Sequence, residues 1–156
     1  MPSNVIPFNG KNPAAPAGLR VLIADDNADT VLTLSFLLID EGYVVQALED
    51  GSNVARTVRD FQPDVCIFDI EMPGQNGYAL ARELRNRRIG DRPLLIAISG
   101  VYVRPADRFL ALMVGFDHFF QKPADPNEIS AVLKDFAAGR KVTAYEERLH
   151  LAHKRA

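Results

Sequence analysis

From Leu19 onward, short apolar runs alternate with longer amphipathic stretches. LRVLIA (19–24) is a β-branched run suited to a strand buried on both faces. Asp26 or Asn27 can cap a helix reaching about Glu41, with Val31, Leu34 and Leu38 on one face and Gly42 as the stop. YVVQA (43–47) reads as the second strand, and a weaker helix runs from about Ser52 to Phe61, closed by Pro63. VCIFD (65–69) is the third strand. A loop leads to a helix over 78–88 that ends near Gly90, and Pro93 introduces the fourth strand, LLIAIS (94–99). A helix over 105–114 and a short strand HFFQ (118–121) follow. The last helix has the clearest start: Asp125 at the cap, Pro126 at the first helical position and Glu128 three residues after the cap. Its face of Ile129, Val132, Leu133 and Phe136 has helical spacing, and Gly139 comes after it.

Helical crossovers between short apolar strands imply an α/β fold, a doubly wound five-stranded parallel sheet covered on both faces. In such sheets ligands bind outside the carboxyl ends of the strands. Residues 1–18 carry four prolines and almost no apolar periodicity, and read as a flexible leader. Residues 140–156 suggest an amphipathic helical tail through Val142, Tyr145, Leu149 and Ala152, leaving 19–139 as the domain proper.

Composition narrows the class. A chain of 156 residues is about one domain. Cys66, the one cysteine, lies inside an apolar run and reads as a small buried hydrophobe, which fits a reducing, cytoplasmic setting. No stretch has the apolar length of a membrane span, and the N-terminus lacks signal-peptide features. A net charge of -2 gives no general pull towards nucleic acid or anionic lipid.

The candidate chemistry lies at the strand ends. Asp25 and Asp26 follow the first strand, Asp69 ends the third, Ser99 ends the fourth, and Lys122-Pro123 follow the fifth. Three carboxylates at one sheet edge repel, by roughly 4 kcal/mol for a pair about 4 Å apart at an effective dielectric near 20. Lys122 alone does not balance them, so a hard divalent ion is expected. Mg²⁺ suits one or two carboxylates plus water, and no His or Cys cluster favours a softer metal. The expected site uses Asp26 and Asp69, with Asp25 acting mainly through water. An ion and an ammonium beside a carboxylate suggest phosphoryl transfer, with Asp69 as nucleophile and Ser99 donating a hydrogen bond to the product.

The acidic pair Asp25-Asp26, the segment Asp69-Ile-Glu-Met-Pro with Gly77, Ser99-Gly100, Phe119 and Lys122-Pro123 occur in an order that resembles the receiver domain of bacterial two-component response regulators. The resemblance covers about 19–138. It implies a flavodoxin-like sheet of order 2-1-3-4-5. It further implies that Asp69 is the phosphoacceptor, that Asp25 and Asp26 bind magnesium with Asp69, and that the Glu71 carbonyl completes the metal shell. Lys122 contacts the phosphoryl group, Ser99 is the switch hydroxyl and Phe119 the switch aromatic, lacking the phenolic oxygen of the more familiar tyrosine. The bond before Pro123 is expected to be cis. The implied donor is a sensor histidine kinase or a histidine phosphotransfer protein. The downstream partner is a protein bound through 105–138, a face that, like the tail, could also pair two copies.

No output domain follows residue 139 in this sequence, so the chain reads as a single-domain receiver rather than an enzyme. Two rival classes share some of these features. An aspartyl-phosphate hydrolase would show a second aspartate where Glu71 stands, and a binding module independent of phosphate would not need every chemical group retained. Arg82, Arg85, Arg87 and Arg88 read as a solvated basic helix face. His150 and His153 lack a third metal ligand and read as surface residues.

Overall fold

The computed structural model describes residues 4–5, 18–86, 93–100 and 104–139. Its elements in chain order are β1 (Asn4–Val5), β2 (Arg20–Ala24), α1 (Ala28–Asp40), β3 (Val44–Leu48), α2 (Val54–Phe61) and β4 (Val65–Asp69). Then come β5 (Glu71–Met72), β6 (Gln75–Asn76), α3 (Gly77–Asn86), β7 (Leu94–Ser99), α4 (Pro105–Val114) and β8 (His118–Gln121). The last helix, α5, spans 126–139. The main sheet has the order β1-β3-β2-β4-β7-β8. Its five parallel strands, counted along the chain, follow 2-1-3-4-5, as expected from the sequence.

Period-two alternation divides the apolar strands between two cores. Val21, Ile23, Val65, Ile67, Ile96 and Ile98 face one way, against Leu34 and Leu38 of α1 and Ile129 and Leu133 of α5. Leu22, Ala24, Cys66, Phe68, Leu95 and Ala97 face the other, against Val54, Leu80, Leu84 and Ala111 of α2, α3 and α4. Every residue of β4 and β7 is buried, which explains why their sequences show no polar stripe. Asn27 caps α1, its Oδ1 accepting from the N–H groups of Asp29 (3.0 Å) and Thr30 (3.2 Å). Asp125 caps α5 in the same way through Asn127, and Ser130 ties that helix to α1 by donating to Glu41 at 2.8 Å.

Three features depart from the expectations. Asn4–Val5 falls inside the supposed flexible leader, yet its backbone pairs antiparallel with β3, Asn4 opposite Ala47 and Val5 opposite Gln46. The reason is the sheet edge: β3 has a parallel neighbour on one side only, and its outer N–H and C=O groups accept another strand. The stretch after Asp69, expected as plain loop, forms the small β5–β6 hairpin, with Glu71 opposite Asn76 and Met72 opposite Gln75. Arg85 is not on a solvated face. It donates from Nε to the Gly115 carbonyl (2.8 Å), from Nη1 to the Pro93 carbonyl (2.7 Å) and from Nη2 to Asp117 Oδ2 (2.7 Å). Asp117 Oδ2 also accepts from Leu95 N–H at 2.9 Å. This pair joins α3, the start of β7 and the α4–β8 turn at the end of the sheet away from the acidic residues. The remaining leader, the end of the helix expected over 78–88, and the tail with His150 and His153 lie outside the described residues.

Arg85→Ala is expected to lower unfolding stability by about 2–4 kcal/mol, because it takes a charged partner from Asp117 and a donor from each of two carbonyls. Arg85→Lys should recover less than half, since an ammonium cannot serve three acceptors in a planar fork. Urea midpoints of the three proteins check this, and equal stability of all three would contradict it.

Candidate functional site

The carboxyl ends of β2, β4, β7 and β8 converge, and the predicted groups meet there. Asp25 follows β2 and is 1% exposed; Asp69 ends β4 and is 5% exposed; Asp26 is exposed at the surface. One carboxylate oxygen from each of the three lies within 4.8 Å of the others. Lys122, following β8, places Nζ 2.9 Å from Asp25 Oδ2 and 3.1 Å from Asp69 Oδ2. Strand alternation explains the meeting: Phe120 faces the α1/α5 side with Val65 and Ile67, and Asp69 and Lys122 are each two positions further along. The Lys122–Pro123 bond is cis, as expected.

Backbone donors fix the carboxylates. Asn27 N–H donates to Asp25 Oδ1 at 2.9 Å, and Glu71 N–H donates to Asp69 Oδ1 at 3.1 Å. Two glycines permit close approaches. A Cβ on Gly77 would lie 2.7 Å from the Ile70 Cα and 3.0 Å from the Asp69 carbonyl oxygen, so α3 can start directly against the end of β4 only as glycine. A Cβ on Gly100 would lie 3.2 Å from Lys122 Cδ, so the lysine stem crosses at this position on its way to the acids.

The site's electrostatics follow from this crowding. Burial pushes the Asp69 carboxyl up to about 6, with the Asp25 charge adding to the rise, against the opposing pull of the Glu71 N–H and Lys122. Burial works against the Lys122 charge, but its contacts with Asp25 and Asp69 more than offset this and hold it above the usual lysine range. Asp25 Oδ2, although in ion-pair contact with Lys122, is buried and accepts no aligned hydrogen bond. Three carboxylates against one ammonium, with an under-satisfied buried oxygen and no His or Cys in the cluster, fit a hard divalent cation such as Mg²⁺.

Ser99 is buried at the end of β7, opposite Gln121, and its carbonyl accepts from Lys122 N–H at 2.8 Å. By alternation it shares a sheet face with Leu95 and Ala97, the face on which half-buried Phe119 packs. The Phe119 ring lies beneath the Arg108 guanidinium of α4, 5.4 Å from the ring centroid. Sequence reading missed Arg108, because nothing local links a helix residue to an aromatic in the next strand. The signal for Asn27 was present, but as a helix cap rather than as a support for Asp25.

A doubly wound sheet with an acidic trio and a lysine at its carboxyl edge places a charged site where proteins of this class bind ligands. Comparison with known proteins gives the family: the model of the response regulator receiver domain matches residues 21–134. The chain belongs to that family, the receiving partner in two-component signalling. It is 30% identical over 120 residues to an uncharacterized 14.6 kDa protein of Leptolyngbya boryana, covering 77% of this chain and 91% of that one. It is 31% identical to the DNA-binding response regulator MtrA of Mycolicibacterium paratuberculosis, over 72% of this chain and 48% of MtrA. The chain thus spans about half the length of that relative. Among solved structures, a CheY-like receiver domain protein from Methanospirillum hungatei superposes with a TM-score of 0.72 at 22% identity, covering 81% of this chain and 99% of that one. The receiver domain of a signal transduction histidine kinase from Syntrophus aciditrophicus gives 0.67 at 27%, covering 77% and 90%. Receiver domains bind Mg²⁺ at an acidic pocket of this kind. Among the described residues no helix is long and apolar enough to cross a membrane.

The raised Asp69 pKa carries a stability consequence. The unfolded chain ionises this carboxyl near 3.8, the folded protein only near 6, so ionisation costs the metal-free fold stability as pH rises between those values. Asp69→Asn is therefore expected to stabilise the metal-free protein by on the order of 1–2 kcal/mol at about pH 7.5, with the gain vanishing below about pH 4. Urea titrations across that range in chelator check it. A loss of stability at neutral pH would show that the lysine contact outweighs burial.

Proposed function

We propose that this protein accepts a phosphoryl group on Asp69 and uses the change in that carboxylate to alter what binds the α4–β8–α5 face. The carrying observation is the aspartate itself: a buried carboxylate on a rigid strand tip, 3.1 Å from a lysine and within 4.8 Å of two further acids. The donor is a phosphohistidine of a sensor kinase or phosphotransfer protein. An Asp69 oxygen bonds to phosphorus as the donor's N–P bond breaks, and the imidazole nitrogen keeps that bond's electron pair. Asp25, Asp26 and Asp69 would hold Mg²⁺, with the Glu71 carbonyl completing the protein's share of the ligands. When bound, that ion supplies the positive charge that Lys122 alone cannot bring to the phosphoryl oxygens. Lys122 holds one side of the transferring group, and the Glu71 N–H keeps Asp69 in its attacking orientation.

The added charge, about -1.5 to -2 by analogy with other phosphorylated side chains, gives Ser99 a reason to turn towards it. Phe119 on the same sheet face then gains room to move inward, away from Arg108. The neighbouring α4 supports an output role, because Phe109 and Met113 are 66% and 69% exposed and Leu110 and Leu112 join them.

Two outcomes check the reading. Incubation with a small-molecule phosphodonor and Mg²⁺ is expected to add one phosphoryl group by intact mass. Chelation or Asp69→Asn is expected to abolish the adduct; a gain that ignores either overturns the assignment. Ser99→Ala is expected to keep the adduct but to reduce the phosphorylation-dependent shift of the Phe119 ring resonances by at least half. A full shift in that variant would exclude this route to the surface.

A further inference from the structure

We propose that the outer edge of β3 is a strand-docking edge for a second copy of this chain, held closed by the leader strand β1. The hydrogen-bond directions along β3 are fixed by its inner neighbour. Val44 N–H donates to the Leu19 carbonyl at 3.0 Å, and the Leu48 carbonyl accepts from Asp25 N–H at 3.1 Å. In a parallel ladder the N–H and C=O of one residue point to the same side, and the side alternates along the strand. Val44, Gln46 and Leu48 therefore face β2, while Val45 and Ala47 present their backbone groups outward. Asn4 stands opposite Ala47, so the Asn4–Ala47 pair is the hydrogen-bonded one. This edge accepts an antiparallel strand, and among the described residues β1 stands opposite two of its five residues.

Without β1, the edge carries none of the usual safeguards. VVQAL contains no lysine, no proline and no charge, and Val44 is 48% exposed. The edge is also self-complementary. Two copies related by a two-fold axis at Gln46 place Val45 opposite Ala47 of the other copy, aligning the outward groups of both, with Gln46 opposite Gln46. Extended one step further, Glu49 meets Tyr43 rather than another acid, so no like charges face each other. The edge thus fits a copy of itself, and β1 is the intramolecular occupant that keeps it from pairing.

Asn4→Pro in the full chain tests this, because it removes the N–H that faces Ala47 without touching the five-stranded core. Two measurements apply: sedimentation velocity over a concentration series, and amide exchange of Val45 and Ala47 by NMR. The expected result is faster exchange of the Ala47 amide in dilute solution, with Val45 as the internal reference, and self-association tighter than the unsubstituted chain by about tenfold or more. Adding Ala47→Pro, which removes an outward N–H, should return association to the unsubstituted level. Should that variant fold poorly, Gln46→Lys serves instead, placing two like charges opposite each other at the two-fold axis. Unchanged exchange at Ala47 would show that β1 is not the cap. Unchanged association, or tighter association that survives both Ala47→Pro and Gln46→Lys, would show that the edge does not dock a second copy.

Discussion

The arrangement at the sheet's carboxyl edge depends on one ammonium group placed between two buried carboxylates. Lys122 touches Asp25 and Asp69, residues that lie 97 and 53 positions away from it in the chain. Without that charge, two acids at most 5% exposed would face each other with little water to screen them. The lysine makes the cluster tolerable in the absence of metal but does not neutralise it. Burial, with the Asp25 charge adding to it, still holds the Asp69 carboxyl near 6, and a buried Asp25 oxygen is left under-satisfied. A site balanced completely by protein groups would leave no charge for a divalent ion to neutralise.

The rest of the fold holds that arrangement still. Apolar strands packed on both faces fix where each strand ends, and the side chain at each tip inherits that position. At the opposite end of the sheet Arg85 and Asp117 join α3, β7 and the turn before β8. The segment that leads to Lys122 is thereby anchored at its start as well as at its charged end. On the surface beside the site lie the half-buried Phe119 ring beneath Arg108 and the apolar α4 face.

Much of this was legible along the chain because strands and helices write themselves in local periodicity. The apolar runs ending in Asp25, Asp69 and Ser99, and the caps Asn27 and Asp125, are short-range signals, and the structure has them where the periods put them. Arg85 was misread for the same reason. An arginine on an amphipathic helix looks solvated until the carbonyls of residues 93 and 115 are known to be its neighbours. The β5–β6 hairpin was missed because two-residue strands are too short to show alternation.

The sequence by itself determined the sequence of elements, the two-sided burial of the sheet and the residue type at each strand tip, since all of these follow from the order of apolar and polar side chains. Only the tertiary structure decided which tips touch, that Lys122 is shared between Asp25 and Asp69 rather than paired with Asp26, that Gly77 and Gly100 are places of close approach, and that Asn4–Val5 seats itself on β3. Those outcomes depend on crossover direction and strand register. Both are settled by packing between segments far apart in the chain, where no local pattern records them.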